Sequence, residues 1–325
     1  MQLKTKLYQM FILGTVGGGY KAALKQGLGG MIFFTYDIQS TEQFTALVED
    51  IRSEAKIPPF LSIDQEGGRV ERTENIHRGK KYLSAKYAFT DCGQRAEDFL
   101  RAQTQEIAQE LKSYGLNLNF APCVDVNTNP NNPIIGERAF SDNPEDVIRA
   151  EKIVVQTYLD NGIIPCLKHY PGHGDANADS HLTLPTIDKT LEEMQPHLAP
   201  FAAAVNASLA RGVRGDFMIM AGHLHCTCFD KDEIPASLSK NALDYLRNEI
   251  GFDSVIISDD MVMRSADTPD AVERGIRAGL NMFIYRNSTP ETIEIIEALA
   301  LKAENDPELR ENIEKSYEKI RKAKG

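Results

Sequence analysis

Phe60-Leu-Ser-Ile63 runs directly into Asp64-Gln-Glu-Gly-Gly-Arg69. A short apolar run that stops at a polar, glycine-bearing cluster reads as a buried strand with a shaped loop at its carboxyl end. The same pattern recurs along the chain. Apolar, β-rich runs at 10–13, 30–34, 116–122, 163–168, 217–221, 254–258 and 282–285 bring the candidate strands to eight. Amphipathic stretches at 41–56, 94–114, 144–161, 191–210, 238–250 and 270–278 separate them. Strands alternating with helices predict βαβ units and a parallel sheet. Eight of them predict a closed TIM-type (β/α)8 barrel, although an open doubly wound sheet fits the periodicity nearly as well. The charged stretch 290–324 reads as a helical tail that closes the barrel. No linker or internal repeat interrupts the chain, so residues 1–325 are expected to form one domain.

Composition agrees with a globular protein. Of 325 residues 42% are hydrophobic, which excludes a disordered chain, and 5 Cys are too few for a disulfide scaffold of this length. The net charge of −11 argues against nucleic acid or an anionic membrane as partner. No segment approaches the ~18 consecutive apolar residues of a membrane span. Lys4 and Lys6 precede Leu7-Tyr-Gln-Met-Phe-Ile-Leu-Gly14, a faint likeness to a signal peptide. Gln9 interrupts that stretch and no Ala-x-Ala site follows, so it reads as the first strand. An odd number of cysteines without a secretory signal suggests a reducing cytoplasm. A small molecule is the expected partner, and a monomer the expected state.

Polar residues gather after one strand after another. Asp64 to Arg69 follow the third, Asp125 and Asn127 the fourth, and Lys168-His169 close the fifth. His223 lies past the sixth, Ser258-Asp-Asp260 end the seventh, and Arg286 follows the eighth. In a barrel these ends share one face, where such enzymes build their sites.

The densest segment is Lys168-His-Tyr-Pro-Gly-His-Gly-Asp-Ala-Asn-Ala-Asp-Ser-His181. Asp179 stands two residues from His181, close enough in a folded-back loop to orient an imidazole that exchanges protons near neutral pH. Metal binding or loop capping would use the same residues. Asp259-Asp260 offers a carboxylate able to act as a nucleophile towards an anomeric carbon. Neighbours on a strand point oppositely, so only one of the pair can face the centre, and the pattern does not say which. His223-Leu-His225 with Cys226 and Cys228 raises a zinc alternative, weakened by the lack of an acidic ligand in the segment.

Asp64-Gln-Glu-Gly-Gly-Arg-Val-Glu-Arg72, Asn119 to Asp125 with Ile135 to Phe140, Lys168 to His181, and Ile257-Ser-Asp-Asp-Met261 together resemble glycoside hydrolase family 3, in its bacterial single-domain β-N-acetylglucosaminidase branch. The resemblance runs through essentially the whole chain. It implies a barrel and a retaining hydrolysis of terminal β-linked N-acetylglucosamine, with N-acetylglucosaminyl muropeptides of peptidoglycan recycling as the expected carbohydrate substrate. By the family pattern Asp259 is the nucleophile, and His181 paired with Asp179 the acid/base. Many relatives take that group from a second domain, which a one-domain chain would not need. Asp64, Arg72, Arg138, Lys168 and His169 match the sugar-binding set. No metal or organic cofactor is implied. Ala139, Ala176, the His225 to Cys228 stretch and Asn281 depart from the family pattern. A phosphorylase on the same scaffold, a metal-dependent hydrolase and a non-catalytic sugar-binding protein are the rival readings.

Overall fold

A computed structural model describes residues 1–76, 81–90, 95–176, 184–212, 216–263, 266, 268 and 270–325. Eight parallel strands close on themselves: β1 (Phe11–Val16), β2 (Gly30–Phe33), β3 (Phe60–Ile63), β4 (Leu118–Asn119), β5 (Ile164–Tyr170), β7 (Met218–Ala221), β9 (Ile256–Asp260) and β10 (Met282–Asn287). The last pairs with the first, Phe11 opposite Phe283. The barrel is therefore closed, and the open-sheet alternative is excluded. A separate two-stranded ribbon, β6 (Thr186–Ile187) with β8 (His225–Cys226), lies outside it.

Helices α3 (Thr41–Glu54), α5 (Ala96–Ser113), α6 (Pro144–Asp160), α7 (Leu191–Ala210), α8 (Lys240–Asn248), α9 (Ala271–Ala278) and α10 (Pro290–Asn305) follow from the amphipathic pattern. Side-chain caps start several of them: Ser40 accepts from Gln43 N, and Thr190 and Glu193 form a reciprocal capping box. The core fills the barrel and the space under the helices. Phe11, Phe33, Phe60, Leu118, Leu167, Ile219, Ile257 and Phe283 are all essentially inaccessible. Among the described residues no helix is long and apolar enough to cross a membrane.

Two expectations need correction. The stretch from Leu7 does not begin a strand: Leu3–Tyr8 is a helix, α1, and β1 starts at Phe11. A continuous apolar run cannot distinguish the two by period, and Leu7 and Tyr8 are buried at 0% and 1% exposure. The tail is two helices. Asp306 ends the first and caps the next, α11 (Pro307–Lys324), its carboxylate accepting from Leu309 N at 2.9 Å, with Pro307 in the first turn. Two short helices, α2 (Tyr20–Gln26) and α4 (Ala85–Thr90), went unrecognised.

Candidate active site

The floor of the barrel mouth is a charge cluster. Lys168, on β5 and 2% exposed, places Nζ 2.8 Å from Asp64 Oδ1 and 2.6 Å from Glu66 Oε1. Arg138, from the turn Gly136–Arg138, donates from Nε and Nη2 to the two Glu66 oxygens at 2.9 Å each. Two cations thus balance two carboxylates. Burial alone would favour a neutral Glu66, yet Arg138 and Lys168 hold its carboxyl well below the usual range. Burial likewise works against the Lys168 ammonium, and Asp64 and Glu66 overcome it. The loop is fixed from behind. The Asn119 amide bonds both main-chain groups of Gln65, at 3.0 and 2.9 Å, while Gln65 Oε1 accepts from Arg72 N at 2.8 Å.

His169 is oriented by Asp125, which is fully buried. The Asp125 carboxylate accepts from His169 Nδ1 at 2.7 Å, and also from the main-chain N–H of His173 at 2.6 Å. A carboxylate can only accept, so Nδ1 carries a proton. Arg138 Nη2 lies 3.4 Å from that nitrogen. Burial opposes the Asp125 charge, and the interactions with His169 and His173 outweigh it. Cys123 donates to the same carboxylate at 3.2 Å, and burial pushes its thiol well up. Among the described residues the buried His173 ring has no partner at either nitrogen, and burial lowers its proton affinity.

The two aspartates at the end of β9 separate into different roles. Asp260 accepts from the main-chain N–H groups of Val262 and Arg286, both at 3.2 Å, and pairs with the Arg286 guanidinium. The Asp259 carboxylate accepts at Oδ1 from its neighbour's N–H at 2.7 Å, which leaves its other oxygen open. Burial opposes ionisation of Asp259, but His169, His223 and Lys168 hold its carboxyl below the ordinary value. It is an ionised carboxylate with lone pairs to spare.

These groups line one cavity of about 220 Å³, with Asp64, Arg72, Arg138, Lys168, His169 and Asp259 in its wall. The volume is below the roughly 300–1,000 Å³ of sites for drug-sized ligands, and suits a small polar ring. The Arg72 guanidinium sits 5.6 Å over the Phe34 ring, itself part of the wall. Every sugar-binding residue expected from the sequence is brought together here. Asp179 and His181 lie outside the described residues. Glu66 and Asp125, visible in the sequence only as polar positions after strands, prove to be the anchors of Lys168, Arg138 and His169. Among the departures, Asn281 stands at the far end of the barrel, its Oδ1 accepting from Ile256 N at 2.9 Å.

Among the described residues, His223, His225, Cys226 and Cys228 form no cluster of metal-ligating atoms. His223 Nδ1 lies 2.7 Å from Ser237 Oγ, while His225 Nε2 lies 3.0 Å from the Asp230 carbonyl, so the two rings serve different partners.

Residues 2–323 match the family model for the Glycosyl hydrolase family 3 N terminal domain. The chain is 34% identical over 257 residues to "Beta-hexosaminidase A" of Pseudoalteromonas piscicida, an alignment covering 73% of this chain and 41% of that protein. It is 31% identical to a "Beta-hexosaminidase" of Tolumonas auensis, covering 84% of this chain and 79% of the relative. Among solved structures, a glycoside hydrolase family 3 β-N-acetylglucosaminidase from Paenibacillus superposes with a TM-score of 0.89 at 29% identity, over 100% of this chain and 62% of that one. The chain thus spans less than two thirds of two of these three relatives. Its own fold and its aligned length place it, as a (β/α)8 barrel, in glycosyl hydrolase family 3.

Proposed function

We propose that this barrel is a retaining exo-β-N-acetylglucosaminidase, working on terminal β-linked N-acetylglucosamine. The observation that carries the reading is Asp259: an ionised carboxylate, with one oxygen uncommitted, in the wall of a small cavity whose other groups are directional donors and acceptors. A pyranose ring needs such partners for its hydroxyls. Asp64 accepts, while Lys168, Arg138 and Arg72 donate.

In the proposed reaction Asp259 attacks the anomeric carbon as the bond to the leaving oxygen breaks, giving a glycosyl ester. His181, oriented by Asp179, gives its proton to the leaving oxygen. Water then attacks the anomeric carbon, His181 takes the water's proton, and Asp259 leaves as the carboxylate. The activities for which these relatives are named support β-hexosaminide hydrolysis. Muropeptides released in peptidoglycan recycling are the proposed natural substrates, and the cytoplasm the proposed location. Cys123, Cys166, Cys226 and Cys228 are free thiols, which a reducing compartment preserves. Residues 1–325 are proposed to act as one catalytic domain.

Aryl β-glycosides test this reading. The N-acetylglucosaminide should be strongly preferred, and Asp259→Ala should be almost inactive. His181→Ala should lose less with activated aryl leaving groups, which need little protonation. Asp179→Asn should slow both steps, because it no longer favours the imidazolium. Product analysis in phosphate buffer should yield free N-acetylglucosamine; a sugar 1-phosphate would convert the reading to phosphorolysis. Full activity in Asp259→Ala would refute the proposed nucleophile.

A further inference from the structure

Arg138 and Arg286 both line the cavity, and they spend their donors differently. Arg138 gives Nε and Nη2 to the two Glu66 oxygens, and Nη1 donates to the Ile134 carbonyl at 3.2 Å. Arg286, on β10, pairs with Asp260 Oδ2 through Nε alone. The other Asp260 oxygen already accepts from the main-chain N–H groups of Val262 and Arg286 at 3.2 Å, so no second bond forms. Among the described residues Nη1 and Nη2 of Arg286 have no hydrogen-bond partner, and the side chain is 44% exposed. Resting on the hydrolysis proposed above, we infer that Arg286 is the specificity-determining residue of a leaving-group subsite that takes a carboxylate.

The strand register puts Arg286 where a leaving group must pass. An exo-acting site encloses the terminal sugar, so whatever follows the glycosidic oxygen stays at the mouth. Ile284 is level with Asp260 across β10 and β9. Arg286 stands two residues further along β10, on the same face as Ile284, and both line the cavity. It therefore rises on the mouth side of the strand next to the nucleophile.

Across β1, which separates β10 from β2, lies an aromatic shelf. Phe34, just past β2, belongs to the cavity wall, and Tyr36 stacks on it with centroids 5.5 Å apart and planes 16° apart. Tyr36 is 51% exposed, so the shelf runs from the wall to the open rim. An aromatic face left in water beside a polar pocket suits the ring of a leaving group. The Arg72 guanidinium, 5.6 Å over Phe34, makes no ion pair among the described residues.

The class of ligand follows from the donors. A guanidinium is permanently charged and cannot accept a hydrogen bond, so its partner must be an acceptor. Two N–H ends in one plane match the two oxygens of a carboxylate. Asp260, by holding Nε, fixes that plane before the ligand arrives. Its own charge repels a second anion, and Arg72 on the shelf side offsets that repulsion.

The test compares two aryl β-N-acetylglucosaminides on the full chain, one with a carboxylate on the aryl ring and one with its methyl ester. The readout is the ratio of kcat/KM for acid over ester within each variant. Their intrinsic reactivities differ, and the difference cancels when ratios are compared between wild type and variant. Arg286→Gln should lower the ratio about threefold to tenfold, the worth of one half-exposed charge-assisted contact. Arg286→Lys, which keeps the charge without the fork, should fall between. Tyr36→Ala should raise KM for both substrates alike and leave the ratio in place. In the wild type about 1 M salt, where the screening length is ~3 Å, should lower the ratio and spare the ester. A ratio within twofold of wild type in Arg286→Gln, with acid and ester losing equally, would overturn the inference and leave Arg286 a partner of Asp260 alone. If Arg286→Gln is too inactive to assay, Arg286→Lys and the salt dependence decide, and a ratio that neither moves overturns the inference. Asp259→Ala, assayed alongside, separates the two ideas: activity surviving in it refutes the nucleophile, whereas an inactive Asp259→Ala with an unmoved ratio in the Arg286 variants refutes only the subsite.

Discussion

The molecule carries two networks of paired charges with similar distances and opposite settings. At the barrel mouth, Lys168, Asp64, Glu66 and Arg138 join at 2.6–2.9 Å, with Lys168 and Glu66 side chains 2% and 5% exposed. On the outer surface, Glu273 joins Arg277 at 3.0 Å and Lys302 at 2.7 Å, with exposures from 19% to 53%. Equal geometry does not mean equal energy. Water screens the outer pairs, each worth about 0–1 kcal/mol, whereas removing one partner of a buried pair strands a charge and costs about 3–5 kcal/mol. A buried network rarely improves on apolar packing, so its presence at the mouth points to the ligand rather than to stability.

Breaking the inner network should give the largest effect. Glu66→Gln leaves Lys168 paired with Asp64 and takes from Arg138 its ion-pair partner among the described residues, and should cost about 3–5 kcal/mol of unfolding free energy and most of the activity, read by denaturant titration and aryl-glycosidase assay. The pH dependence has a defined sign. Glu66 is held below its ordinary value in the fold, so its contribution is present above the unfolded-chain pKa and lost as pH falls through the folded one. The gap between wild type and Glu66→Gln should therefore close only in strong acid.

A buried carboxyl without an ion pair should behave oppositely. Glu151, on α6 and 3% exposed, has its pKa raised to about 8, burial outweighing the pull of Arg211 and Lys152. Its stabilising contribution is full below the unfolded-chain value and declines as pH rises towards 8. Glu151→Gln should thus raise the melting temperature at pH 8 by the equivalent of about 1–3 kcal/mol, and change it little at pH 5. Equal shifts at the two values would contradict this account. The outer network should respond least. Lys302→Ala should change stability by under about 1 kcal/mol, with the difference shrinking further in high salt.

The contrast also shows what a sequence can reveal. All eight barrel strands were legible as apolar runs, six of them followed by polar residues, because burial on both faces leaves a continuous hydrophobic signature. The mouth residues were legible for the same reason, as the polar ends of those runs. What escaped was pairing across distance. Nothing local in Glu66 announces Arg138, 72 positions on, or in Asp125 announces His169, 44 positions on. His223 suggested a metal through its spacing to His225, and only the fold reveals Ser237 as its partner. The split of the tail had a local signal in Asn305-Asp-Pro307, since a residue before proline resists helix. The helix at Leu3–Tyr8 had no decisive one.

The central claim is that Asp259 bonds transiently to the sugar. A slow fluorinated N-acetylglucosaminide, incubated with the protein and followed by proteolysis and mass spectrometry, tests it directly. The account predicts a single labelled peptide with the sugar on Asp259, formed at the rate at which activity disappears. A label on any other residue, or complete turnover with no label and inversion at the anomeric carbon, would contradict it.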